Sequence, residues 1–170
     1  PKINGATVFG VRPGNPFLHT IAATGNRPME FSADGLPEGL TLDKNTGQIT
    51  GVLKERDTSI VIVKAKNSLG TTSRQLSIIV GDQLALTPPL GWNSWNCFAS
   101  AVDDSKVRSA ADAMVKSGLI NHGWSYINID DCWEIKPFTD DPMLQGDPRN
   151  GNDMINTNKK FPDMNALSDY

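Results

Sequence analysis

Cysteine and histidine are scarce in this chain, with two of each in 170 residues. Cys97, Cys132 and His122 show no recognised metal-ligand spacing, so no metal is expected, and no cofactor either. Two cysteines leave the thiol chemistry open: one disulfide or two buried thiols. His19 stands alone on an expected strand and reads as structural or merely exposed. An excess of basic residues is also missing. The net charge is −3 and the pI is near 5.3, so nothing favours nucleic acid or an anionic membrane. No apolar run approaches the roughly 20 residues of a membrane span. The chain opens on Pro1, without a methionine or a signal-peptide pattern, as expected of a processed or excised piece. Asp147–Asp153 is acidic, but Arg149 falls where a calcium loop of the EF type needs an oxygen ligand, so the segment reads as solvated.

Turn-forming residues, by contrast, are plentiful, with 15 Gly and 11 Pro. The glycines concentrate in the first half, and the chain changes character near residue 82. Before it, short β-type runs alternate with turn clusters. Thr7–Val11 and Phe17–Ala22 flank Arg12-Pro13-Gly14-Asn15-Pro16, and Met29–Ala33 precedes Asp34-Gly35. Leu40 and Leu42 alternate with Thr41, and Asp43-Lys44-Asn45-Thr46-Gly47 turns the chain into Gln48–Gly51. Val61, Val63 and Ala65 share one strand face, and Leu76, Ile78 and Val80 share another. This spacing predicts an antiparallel all-β sandwich over 1–82.

After the linker Gly81-Asp82-Gln83, Leu84–Thr87 leads into Pro88-Pro89, which blocks helix and favours extended backbone. Leu90–Trp95 reads as a strand. Asp103 or Asp104 caps a helix over Asp104–Ser117 whose apolar face is Val107, Ala110, Ala111, Met114 and Val115, with Gly118 as its stop. Trp124–Ile129 is the next strand. Strand, helix, strand implies a parallel pair with a crossover. A long loop follows, and Phe161-Pro162-Asp163 precedes a helix from Asn165.

The most informative stretch is Tyr126–Trp133, YINIDDCW. It reads as a buried strand that ends in two adjacent carboxylates, Asp130 and Asp131. Such carboxylates need partners: a lysine or arginine, backbone amides, or a polar ligand. In parallel α/β sheets and barrels, ligands bind at the carboxyl ends of strands. A structural ion pair or a capping role is the alternative.

Two resemblances follow from quoted motifs. Gly39-Leu40-Thr41-Leu42-Asp43, Thr46–Gly51 and Ala65–Gly70 are similar to the Ig-like domain appended to bacterial secreted glycosidases, a domain without transferable catalytic residues. Thr87–Trp95, Gly118-Leu119, Gly123–Trp133 and Phe161-Pro162-Asp163 resemble the N-terminus of the melibiase family. These are the retaining α-galactosidases and α-N-acetylgalactosaminidases. The resemblance implies the first β/α units of a (β/α)₈ barrel over 83–170, incomplete here because a barrel needs roughly 200 residues or more.

It further implies that Trp95, Asp130 and Asp131 line a galactose subsite, while Trp92 reads as core. The family's nucleophile and acid/base aspartates lie on later strands, so none is expected in this chain and the chain alone should be inactive. Cys132 matches a position often bonded to a cysteine near Cys97, and that bond is left open. An α-galactoside is the expected partner, and a secreted, periplasmic or cell-surface location is expected. Related galacto-type activities (α-N-acetylgalactosaminidase, β-L-arabinopyranosidase) and a non-catalytic Ig-like binding or spacer module remain alternatives.

Overall fold

The computed structural model describes residues 1–83 and 85–170. The extended lead-in expected over Leu84–Thr87 therefore falls partly, at Leu84, outside the described residues. The strands are β1 Lys2–Ile3, β2 Val8–Val11, β3 Pro16–Thr20, β4 Ala23–Thr24, β5 Glu30–Asp34, β6 Leu40–Leu42, β7 Gln48–Val52, β8 Asp57–Asn67, β9 Gly70–Val80, β10 Leu90–Asn93 and β11 Trp124–Asn128. The helices are α1 Trp95–Phe98, α2 Asp104–Lys116 and α3 Met164–Asp169, with 3₁₀ turns at Ala99–Ala101 and Leu119–His122. The chain is mostly sheet with few helices. It divides into two compact units, Pro1–Pro89 with Asn121–Gly123, and Leu90–Ile120 with Trp124–Tyr170.

In the first unit, alternation does what the sequence pattern requires. Its two larger sheets have the orders β2-β9-β8-β5 and β3-β7-β6, and β1 pairs with β4 in a separate two-stranded sheet. Val61, Val63 and Ala65 of β8 and Leu76, Ile78 and Val80 of β9 point to the core, where Phe17, Phe31, Leu40 and Ile49 meet them. The hairpin β8–β9 pairs along its whole length, from Asp57↔Val80 to Asn67↔Gly70. Gly51, at φ 146°, lets β7 pass close to Gly39: a Cβ there would strike the Gly39 carbonyl oxygen. The expected all-antiparallel pairing needs one correction. β2 runs parallel to β9, with Val8↔Ser77 to Val11↔Val80. These strands are the first long one and the last, so no hairpin joins them and nothing local dictates their relative direction.

In the second unit, β10 and β11 are parallel, with Trp92↔Ile127 and Asn93↔Asn128 opposite. Gly91 permits the approach, because a Cβ there would collide with the Tyr126 carbonyl oxygen. The crossover helix α2 is capped by Asp103, whose Oδ1 accepts from the Lys106 N–H at 2.9 Å. Val107 and Met114 are buried, Ala110 and Ala111 are partly buried, and Val115 is exposed, so the expected apolar face is narrower than drawn. Its small core is Val102, Val107, Cys132, Phe161 and Leu167.

Two expectations fail in this unit. Leu90–Trp95 is not one strand: β10 stops at Asn93 and Trp95 opens the single turn of α1. The strand before Asp130 is not buried either. Trp124 is 39% and Tyr126 42% exposed. The reason is the sheet's width. Two strands and one helix cover one face, whereas parallel strands read as apolar because both faces are normally packed.

Candidate functional site

The two carboxylates sit where β11 ends, beside the end of β10. Neighbouring side chains lace the two strand ends together. Asn128 Nδ2 donates to the Trp92 carbonyl at 3.1 Å, and the Ser94 N–H donates to the Asn128 carbonyl at 3.1 Å. The Asp130 N–H donates to Ser94 Oγ at 2.9 Å, and Ser94 is fully buried. Asp130 Oδ2 accepts from Asn93 Nδ2 at 3.0 Å, while Asn93 Oδ1 accepts from the Trp95 N–H at 2.9 Å. One asparagine thus ties Asp130 to the start of the turn that carries Trp95. The Trp95 side is open, with the residue 45% exposed. Trp92 is half-buried against Phe98, edge to face at 6.1 Å.

Asp131 has different partners. Its Oδ1 accepts from the Cys132 N–H at 2.7 Å and from Lys136 Nζ at 2.9 Å, and its Oδ2 accepts from Lys136 Nζ at 2.9 Å. Lys136 also lies 3.5 Å from a Glu134 carboxylate oxygen. The Lys136 ammonium first, and then the Cys132 amide, hold the Asp131 carboxyl down at about 2. The same contact raises Lys136. Asp131 is therefore ionised across ordinary pH and still partly exposed, so it can accept further hydrogen bonds.

The chain turns sharply after Asp131. Cys132 has φ 72°, a left-handed conformation that costs a non-glycine residue about 1–2 kcal/mol. Asn158, itself buried, holds the turn. Its Nδ2 donates to the carbonyls of Cys132 at 2.8 Å and Glu134 at 3.0 Å, and its N–H donates to the Trp133 carbonyl at 2.9 Å. Its Oδ1 accepts from the Lys160 N–H at 2.9 Å. The long loop after Trp133 is thereby a set of bonded turns: the Ile135 N–H reaches Asn156, and the Lys136 N–H reaches Leu144.

Both cysteines are free thiols in the structure. Cys97 is exposed on α1, and Cys132 is packed with Val102 and Phe161, where burial pushes its thiol up. Of the two readings left open, the structure carries free thiols, only one of them buried. Asp147–Asp153 is exposed throughout, with its carboxylates engaged locally by Arg149. His19 belongs to the sandwich, 5.0 Å from the Phe9 ring, and burial lowers it to about 4.

Sequence reasoning named Asp130, Asp131 and Trp95 and anticipated a lysine or arginine without identifying it. It missed Lys136, Asn93, Ser94 and Asn158. Asn158 lies 26 residues beyond the turn it holds, in a loop already rich in asparagine and aspartate, and no local signal distinguishes it. Lys136 is five residues from Asp131, close enough to have been found by asking which nearby cation could return to the strand end.

Two family models cover the chain in order. Residues 2–81 match the family described as "Putative Ig domain", and residues 87–163 match the one described as "Alpha galactosidase A". Among curated proteins, an alpha-galactosidase A from Cellvibrio japonicus is 47% identical over 52% of this chain and 20% of its own length. Alpha-galactosidase 3 from Arabidopsis thaliana is 40% identical over 51% of this chain and 20% of its own length. Two solved structures from Bacteroides fragilis align with 99% of this chain and 34% of theirs at 42% identity. One is titled a "putative alpha-galactosidase", with TM-score 0.59, and the other a "putative alpha-galactosidase/melibiase", with TM-score 0.58. The chain spans about a fifth of the length of the curated relatives it matches.

Proposed function

We propose, proceeding from an Ig-family domain joined to the N-terminal region of an α-galactosidase-family domain, that this chain supplies one wall of the sugar pocket in a retaining α-galactosidase. In this reading 1–82 is the Ig-like sandwich. Residues 83–170 are the first β/α units of a (β/α)₈ barrel that acts on terminal α-galactosyl residues. The supporting observation is the pair Asp130 and Asp131 just past the carboxyl end of β11, beside that of the parallel β10, with the exposed Trp95 on the adjoining turn.

Each residue has a definite role in that reading. Asp130 and Asp131 accept charge-assisted hydrogen bonds from galactose hydroxyls and orient the ring. Trp95 gives a flat apolar wall to the C–H face of the sugar. Discrimination against the epimer follows, because a site built to hydrogen-bond one hydroxyl leaves its own groups unpaired when that hydroxyl points away. Retaining hydrolysis needs two carboxyl groups roughly 5–5.5 Å apart on either side of the scissile bond. Asp130 and Asp131 are each committed to partners on the strand ends and the following turn, and serve binding. The nucleophile and the acid/base belong to later strands, so the 170-residue chain alone hydrolyses nothing. A secreted, periplasmic or cell-surface location goes with this reading.

The test is made in the full-length protein. Asp131→Asn keeps shape and removes charge, and hydrogen bonds to charged groups contribute about 1.5–3 kcal/mol. kcat/KM on an aryl α-galactoside should fall roughly 10- to 150-fold. An unchanged kcat/KM, with unchanged preference over the α-glucoside, removes Asp131 from the site.

A further inference from the structure

The unexplained feature of the site is Lys136. A half-buried lysine on a long loop still has many conformations open to it, and a solitary surface ion pair contributes little. Here the loop backbone is held at the lysine and at the two residues before it. The Ile135 N–H donates to the Asn156 carbonyl, the Lys136 N–H donates to the Leu144 carbonyl, and Glu134 pairs with Thr157. The ammonium then lies 2.9 Å from both oxygens of Asp131. The charged groups facing Asp131 are Lys136 and Glu134, both from this loop, while Asp130 beside it is engaged with Asn93.

The distribution of donors on Asp131 is uneven. Oδ1 takes the Cys132 amide and Lys136, whereas Oδ2 takes Lys136 alone among the described residues. A carboxylate oxygen has room for two donors. Oδ2 therefore keeps an acceptor position, and the plane of the carboxylate is set by the amide on one side and the ammonium on the other.

We propose that Lys136 is a positioning residue for sugar recognition, clamping the Asp131 carboxylate so that Oδ2 is presented to a sugar hydroxyl. This rests on the reading of Asp131 as a sugar ligand. Lys136 need not touch the sugar. It removes the rotation that Asp131 would otherwise lose on binding, and it keeps the acceptor charged. The depressed titration of Asp131 is consistent with the clamp.

The experiment compares Lys136→Met, which keeps the aliphatic stem, with Lys136→Arg, which keeps the charge. In the 170-residue chain, the carbon-detected NMR titration of the Asp131 carboxyl should move in Lys136→Met from about 2 toward the ordinary 3.8 and return part of the way in Lys136→Arg. In the full-length protein, KM for an aryl α-galactoside should rise about tenfold in Lys136→Met with kcat changed less than about twofold, the pattern of lost binding common to ground and transition states. Lys136→Arg should recover part of that loss. A lysine that only ties down the loop would lower the melting temperature and leave the KM of the folded enzyme unchanged. An unmoved titration, or a moved titration with unchanged KM, overturns the proposal. Should Lys136→Met fail to fold, Lys136→Gln takes the same two readouts. If Asp131→Asn also leaves KM unchanged, the sugar reading itself has failed, and the titration reports that separately.

Discussion

Asn158 shows how much one buried polar side chain can determine. It answers carbonyl oxygens on both sides of Trp133, which the left-handed Cys132 turns away from the strand ladder. Asn158→Ala leaves these carbonyls unpaired in a buried place, at a cost of about 1–3 kcal/mol. All four tryptophans, Trp92, Trp95, Trp124 and Trp133, lie after residue 90, so tryptophan fluorescence in urea reads the second unit specifically. The expected result is a lower midpoint for Asn158→Ala with an unchanged far-UV transition of the sandwich. His19 makes a second prediction in the other unit. Its folded value is about 4 against an ordinary 6.5. The unfolded chain therefore binds a proton at His19 below about pH 6.5 that the folded chain refuses until about pH 4. The neutral ring's full stability is present above the upper value and is lost as pH falls through the window to the lower one. Urea midpoints by circular dichroism at pH 7 and 4.5 should differ less in His19→Gln than in the parent. An equal difference would show that His19 is not sheltered.

The elements divide into those specified locally and those specified by partners. α2 is local. Its cap, its acid in the first turn, Asp104, and its base in the last turn, Lys116, are all placed by sequence, and Asp104 pairs with Arg108 one turn on at 2.9 Å. Removing the cap with Asp103→Ala should cost about 1 kcal/mol, seen as a lower fluorescence midpoint. β10 and β11 depend instead on backbone approach. Gly91→Ala puts a methyl group against the Tyr126 carbonyl and should loosen the strand pair, with faster amide exchange at Asn93 and Asn128. Unchanged exchange would mean the strands simply separate a little without cost. The sequence pattern overran β10 into Trp95 because an apolar–polar alternation cannot show where a ladder loses its partner. It also missed β1 and β4, whose two residues each are too short to carry a period.

At the scale of the whole molecule the two units have unequal means of support. The sandwich has apolar faces on both sheets that satisfy each other, with Phe17, Ile49, Val61, Leu76 and Ile78 almost wholly buried. The second unit has a small core and leaves Trp124, Tyr126 and Val115 in solvent, and Val115 lines, with Ser125 and Ile127, a groove between α2, β11 and α3. Residues 1–82 alone should therefore unfold cooperatively on heating. Residues 83–170 alone should give a broad transition and bind a dye that reports exposed apolar surface, since a two-stranded sheet is marginal by itself. A disordered spectrum from 1–82 would contradict the first expectation, and a sharp transition without dye binding from 83–170 the second.

Most of the sandwich strands, the cap and extent of α2, and the two carboxylates at a strand end were determined by sequence alone. Each follows from short-range rules: side-chain alternation, an oxygen three residues before an amide, glycine and proline at turns. Motif order from Thr87 to Asp163 carried the family resemblance in the same way. Tertiary structure decided the rest. It made β2 parallel to β9, exposed the strand that read as buried, left Cys97 and Cys132 unbonded, and brought Lys136 and Asn158 to the turn after Asp131. These depend on which distant segments share a place, and on how many strands cover a face, which no local pattern encodes.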